Sequence, residues 1–144
     1  MLAASLKAVV GAHIFVGAAA VADFRVATVE PQKIKKGASG ELALTLVKNP
    51  DIVATVANLP ERPFTVGFAA ESQRILEYAR DKLKSKNLDL VLANDISCQG
   101  IGFNSDDNAI TLVSASEEKA FPRNRKTQLA RDLVADIIER FEKL

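Results

Sequence analysis

Three nearly continuous apolar runs limit what this chain can fold into: "HIFVGAAAVADF" (residues 13–24), "FTVGFAAE" (64–71) and "LDLVLANDI" (88–96). Each lacks the polar alternation of a half-wet strand. Such runs are expected of strands covered on both faces, as in a parallel sheet with helices on either side. Between the last two lies residues 72–87, where Ile75, Leu76, Ala79 and Leu83 recur at helical spacing. Helices alternating with buried strands imply a mainly parallel sheet.

The remaining segments fit around that frame. Leu2, Leu6, Val9 and Val10 mark a helix that Gly11 ends. Residues 25–40 read as a long polar loop. In "ELALTLVKN" (41–49), Leu42, Leu44 and Leu46 alternate, predicting a strand with those leucines inward. "NPDIVATVANL" predicts a helix capped by Asn49, with Pro50 in its first turn and Ile52, Val53, Val56 and Leu59 as its stripe. "GIGFNSDDNAITLVS" predicts two short strands around the turn-forming "NSDDN". Residues 127–143 set Leu129, Leu133, Val134, Ile137, Ile138 and Phe141 at helical spacing. The expected fold is α/β: three-layer, Rossmann-like, with a mainly parallel sheet whose C-terminal section turns antiparallel.

Composition enters mainly by exclusion. A length of 144 residues suits one domain with a real core. The formal net charge of +1, and lysines without interleaved aromatics, argue against a nucleic-acid or acidic-membrane surface. A single cysteine, Cys98, rules out an internal disulfide and suggests a reducing compartment. No apolar run approaches the ~20 residues of a membrane span, and "MLAASLKAVVGAHIFVGAAA" lacks the basic start of a signal peptide. The expectation is a cytoplasmic, soluble protein. One histidine and one cysteine also leave no Cys/His zinc cluster and no Ser-His-Asp triad. Neither a GxGxxG nor a GxxxxGK[ST] loop is present.

Ligands of open α/β sheets sit at the carboxyl ends of the strands, which selects Asp23, Glu71, Asn94 and Asp95. Around those ends lie features that suit an anion: the lysine-rich "PQKIKK" loop (31–36), Lys82 and Lys86 one helical turn apart, and the helix start at Pro50. Small residues in "GAAA" and "GFAAE" would let a ligand approach the backbone. Each feature also has a plain reading. Lysines near a helix end complement its dipole, lysine loops are usually solvated, and Gly and Ala also serve tight helix-on-sheet packing. From the residues alone the reading is an α/β domain with an anion or nucleotide site at its strand ends.

Taken together in order, "AAVADF", "KIKK", "LVKNPDI", "VGFAAE", "KNLDL", "AND" and "GFNSDDNAI" resemble the phosphopantothenate–cysteine ligase (phosphopantothenoylcysteine synthetase) family. That family forms the synthetase half of the bifunctional bacterial coenzyme A biosynthesis proteins, and the resemblance runs from about residue 14 to the C-terminus. It implies an acid–amino-acid ligase. CTP activates the carboxylate of 4′-phosphopantothenate as an acyl-cytidylate, pyrophosphate leaves, and the amine of cysteine displaces CMP. A carboxylate is a poor electrophile at neutral pH, and CMP turns it into one with a good leaving group. Positioning and charge neutralisation by lysines and Mg²⁺ matter more in such a step than a strong base. The resemblance implies backbone contacts from Gly17, Ala18 and Ala19 to CTP, and a polar contact from Asp23. Lys33 would be catalytic, working on the acyl-cytidylate in the cysteine-dependent step, with Lys35 and Lys36 as electrostatic support in a mobile flap. Pro50, Asp51, Ile52 and Val53 would bring a helix start to the nucleotide, Phe68 would line its pocket, and Lys82 and Lys86 would pair with it. Ala20 would face the phosphopantothenate side. No metal-ligating side chain is implied.

The chain departs from the family's pattern at its beginning. An opening strand, a glycine- and serine-containing loop and an asparagine for phosphopantothenate have no counterpart here, nor does the FMN-dependent decarboxylase half. The chain is therefore expected to be the CTP-binding part (1–144) of a ligase domain, binding CTP weakly and inactive alone. The alternative is a non-catalytic nucleotide-binding or dimerisation module. Family members are homodimeric, and the 41–48 strand and 101–113 hairpin are the segments expected at that interface.

Overall fold

In a computed structural model, residues 1–35, 40–97 and 105–144 are described, and they divide into two units. The first comprises Met1–Ala18 and Ile52–Leu144, and the second is Ala19–Asp51.

The first unit is built on a five-stranded sheet. Strands β1 (Ile14–Gly17), β4 (Phe64–Glu71) and β5 (Leu90–Asp95) run parallel in that order. Antiparallel β6 (Asp107–Val113) and β7 (Glu118–Arg125) extend it beyond β5. Helix α2 (Ile52–Ala57) precedes β4 and α3 (Ile75–Ser85) links β4 to β5, while α4 (Lys126–Phe141) closes the chain. Helix α1 (Leu2–Ala8) packs on α2.

The alternation of side chains sorts the core into two layers. Even-numbered residues Phe64, Val66, Leu90, Leu92, Ile110 and Leu112 meet Leu129, Leu133 and Ile137 of α4. On the other face, Ala69, Val91 and Ala93 meet Ala57, Ala79, Leu83 and Leu88. Helices on both faces make this the expected three-layer α/β fold, with the antiparallel C-terminal section in place.

The second unit holds one two-stranded antiparallel sheet, β2 (Phe24–Val26) with β3 (Leu46–Lys48). Asn49 ties it together: its N–H donates to the Asp23 carbonyl at 2.7 Å, and its amide nitrogen donates to the Ala22 carbonyl at 2.8 Å. Arg25 Nη1 donates back to Asn49 Oδ1 at 3.0 Å and to the Lys48 carbonyl at 3.2 Å.

Several expectations need correction. The run 13–24 is not one doubly covered strand. Only Ile14–Gly17 enters the large sheet, at its edge, leaving Val16 43% exposed. Part of the expected 25–40 loop is strand β2, and only Leu46–Lys48 of segment 41–49 is strand. Leu42, Leu44 and Leu46 are exposed; only Leu46 lies in a strand, and a two-stranded ribbon buries little by itself. Asn49 does not cap α2, since its side chain is engaged with Ala22 and Arg25. Val10, Leu76, Val134 and Ile138 lie outside the core. Strand β7 was not foreseen: "EKAFPRNR" alternates too little and carries too much charge to be read as a strand. Part of the expected "NSDDN" hairpin, and Cys98 with it, falls outside the described residues. Of the hairpin, β6 is present and begins within that motif.

Candidate functional site

The carboxyl ends of β1, β4 and β5 carry the candidate residues of the first unit. Gly17 pairs with Gly67 across β1 and β4, and both sit under α2. A methyl group added at Gly17 would lie 2.6 Å from Val53 Cγ2; at Gly67 it would lie 2.8 Å from Leu88 Cδ1 and 3.7 Å from Val53 Cγ1. The two glycines thus admit Val53 to the sheet. Packing alone accounts for their size, whatever the Gly17 backbone meets in a ligand.

Strand β1 ends at Gly17, paired with Gly67, while β4 continues to Glu71. The Phe64 N–H donates to the His13 carbonyl, so even-numbered peptides of β4 face β1. The first carbonyl past the end of β1 is that of Phe68, and Lys82 Nζ donates to it at 2.5 Å. Helix α3 places that ammonium group: Ala79 and Leu83 bury one stripe against the sheet, and Lys82 flanks it, half-buried. Lys86, the C-cap residue of α3, is also half-buried. The Phe68 ring packs, half-buried, against the core on the α4 side. Its backbone, rather than its ring, meets Lys82.

Ala18 is exposed at the end of β1, its N–H donating to the Val16 carbonyl at 3.1 Å. Ile52 is buried and Val53 half-buried in α2, a helix of six residues. In the second unit, Ala19, Ala20, Asp23, Lys33 and Pro50 are exposed and Asp51 is half-buried. Lys35 is exposed, and Lys36 lies outside the described residues. The first unit therefore brings Gly17, Ala18, Val53, Phe68 and Lys82 to one end of its sheet, and the second carries Asp23 and Lys33.

The same end of the sheet carries Asn94 of β5 and Asn108 of β6. Two buried side-chain oxygens among the described residues, Asn94 Oδ1 and Asn108 Oδ1, accept no hydrogen bond. Asn94 was marked by its strand-end position, but Asn108 was not, because an asparagine beside "SDD" reads first as a turn residue. Asp95 Oδ1 accepts from the N–H and hydroxyl of Ser97 at 2.8 and 2.6 Å. No group of three His, Cys, Asp or Glu side chains is placed to hold a metal ion among the described residues. No helix of the described residues is long and apolar enough to cross a membrane.

Residues 1–141 match the family described as DNA/pantothenate metabolism flavoprotein C-terminal domain. The chain is similar to the Coenzyme A biosynthesis bifunctional protein CoaBC of Haemophilus influenzae, with 51% identity over 144 residues. That alignment covers 99% of this chain and 36% of the relative. The corresponding protein of Escherichia coli is 49% identical over 150 residues, covering 99% of this chain and 37% of the relative. The chain thus spans little more than a third of these relatives' length. Among solved structures, the crystal structure of the C-terminal domain of Coenzyme A biosynthesis bifunctional protein CoaBC superposes with a TM-score of 0.77 at 26% identity, covering 99% of this chain and 62% of that one. The DNA/pantothenate metabolism flavoprotein from Streptococcus pneumoniae shares the fold, with a TM-score of 0.73 at 19% identity, covering 98% of this chain and 66% of that one. On the match over residues 1–141, this chain belongs to the DNA/pantothenate metabolism flavoprotein C-terminal domain family.

Proposed function

We propose that this chain serves coenzyme A biosynthesis as the CTP-binding part of a phosphopantothenate–cysteine ligase. The observation that carries the reading is the ammonium of Lys82 held on the Phe68 carbonyl where β1 stops short of β4. It puts a positive charge, small residues and an interrupted sheet edge together at the strand ends, where an α/β sheet takes a nucleotide. The names of the relatives at about half identity point to the same pathway.

In this reading CTP lies against Gly17, Ala18 and Ala19, with Asp23 as a polar contact and residues 50–53 approaching it. Lys82 and Lys86 neutralise triphosphate charge as pyrophosphate leaves. Lys33 stabilises the charge that develops when the cysteine amine attacks the acyl-cytidylate, and Ala20 borders phosphopantothenate. Mg²⁺ enters with CTP as part of the substrate. Mg²⁺ is commonly held by one or two carboxylates together with substrate phosphates, so it needs no cluster of three protein ligands. The reaction is placed in the cytoplasm and in a homodimer.

Calorimetric titration tests the site: CTP should bind, weakly, and in preference to ATP. Binding of neither would sink the reading. Pyrophosphate release that requires both phosphopantothenate and cysteine is expected to be absent from the 144-residue chain by itself. In a full-length relative, replacing the lysine equivalent to Lys33 should spare acyl-cytidylate formation and slow amide formation.

The second reading, a dimerisation module, has its own support. Phe24, Ile34, Leu42, Leu44 and Leu46 are all exposed in a unit that buries no residue among those described. Loss of all nucleotide binding with retention of a stable dimer would favour it.

A further inference from the structure

Of the motifs that carry the family resemblance, "KNLDL" (residues 86–90) has no part in the proposed site beyond Lys86. It closes helix α3. The Leu88 N–H donates to the Leu83 carbonyl at 2.9 Å, and the Asn87 N–H to the Lys84 carbonyl at 3.3 Å. With Lys86 as the C-cap, that pair of bonds is a Schellman motif, which needs a left-handed residue directly after the cap. Asn87 takes that conformation, with φ 56°. Leu83 and Leu88 pack in the same core layer, the apolar contact that accompanies such a turn.

Glycine is the usual residue at this position, because it has no Cβ to strain. Asparagine tolerates the left-handed region less freely, so its side chain is expected to supply a contact that glycine lacks. Asn87 Nδ2 donates at 3.0 Å to the carbonyl of Ala57, the last residue of α2. Ala57 is fully buried, and the last carbonyls of a helix have no partner within it. The Asn87 carbonyl accepts from Arg62 Nη1 at 3.2 Å, and Arg62 also holds the Asp89 carboxylate by two bonds of 2.7 and 2.8 Å. Asp89 Oδ2 in turn accepts from the Thr65 N–H of β4 at 2.7 Å. One turn thus ties the end of α3 to the end of α2 and to the start of β4.

Both helices carry residues of the proposed nucleotide site. Val53 of α2 packs against Gly17 and Gly67, while Lys82 and Lys86 stand in the last turn and at the cap of α3. Leu88 lies beside Gly67, the residue before the Phe68 carbonyl that receives Lys82. Close-packed interiors transmit shifts, so a change in the spacing of the two helices moves these groups together.

We propose that Asn87 is a positioning residue of the nucleotide site: its side chain sets the distance between the ends of α2 and α3, and with it the place of Lys86. The proposal rests on the ligase reading and adds to it a residue that acts through Lys86 rather than on the ligand.

The test is Asn87→Gly, which keeps the left-handed turn without strain and removes the bond to Ala57. In the 144-residue chain, amide hydrogen exchange should quicken in residues 52–57 of α2 while residues 129–137 of α4 keep their rates. In calorimetric titration CTP should bind about fivefold more weakly at an unchanged number of sites, the effect of one side-chain hydrogen bond. A folding defect would instead lower the number of sites and leave the affinity of the remainder as it was. In a Lys86→Met background, Asn87→Gly should weaken CTP little further, because the group it positions is gone. The proposal is overturned if exchange in α2 does not change, if CTP affinity is unaltered, or if the two substitutions weaken binding independently. Absence of CTP binding to the unsubstituted chain counts against the ligase reading, and exchange in α2 still tests the tie between the helices.

Discussion

Gly17 shows how one residue type carries two readings. From residues alone it marks either a close ligand approach or tight packing, and the 2.6 Å clash of an added methyl group with Val53 establishes the packing role. Gly17→Ala is therefore expected to cost about 1–3 kcal/mol in urea unfolding, and adding Val53→Ala should make the pair non-additive by relieving the clash. Lys82 is a different case. Its helical position was legible, yet its partner is a carbonyl exposed by the end of another strand, which no sequence spacing announces. Lys82→Met should weaken CTP binding about tenfold, the worth of a single hydrogen bond to a charged group. An unchanged affinity in titration would remove Lys82 from the site.

The helices and strands differed in how far they could be read. Amphipathic α3 and α4 and buried β4 and β5 were expected close to where they lie, because each carries a periodic pattern long enough to be distinctive. Strand β7 was missed because it is mostly exposed and charged, and its charges find partners that no local pattern announces. Lys119 of β7 donates to Asp136 of α4, which also accepts from Arg140 Nε at 2.5 Å, and Arg140 reaches Glu117 at 2.9 Å. Asp136 is only 6% exposed. Burial pushes its carboxyl up, and the hydrogen bonds from Arg140 and Lys119 more than offset this, holding it below the ordinary carboxylate range. A carboxylate depressed in the folded state contributes stability above its unfolded value of about 3.9, and loses it as pH falls through the lower folded value. Asp136→Asn should thus cost about 2 kcal/mol at pH 7, and the gap to the unsubstituted chain should narrow steadily below pH 4 in denaturant titrations.

For the molecule as a whole, the second unit is the part least explained by its own contacts. Its leucines alternate as a strand with one apolar face should, yet the face is bare. If a second copy covers it, as the ligase reading holds, sedimentation should show a dimer that Leu42→Ser with Leu44→Ser dissociates; an unaltered dimer would place the interface elsewhere. The candidate residues were named from family-like motifs, but the strand register was not legible, and with it went Asn108 and the Phe68 carbonyl. The sequence by itself determined the class of fold, the order of its long elements and which residues are apolar enough to form a core, since periodicity and burial are local properties of the chain. Only the tertiary structure decided that β1 is a four-residue edge strand and that β4 outruns it. Those depend on strand pairing and on where each strand stops, which are set by long-range contacts.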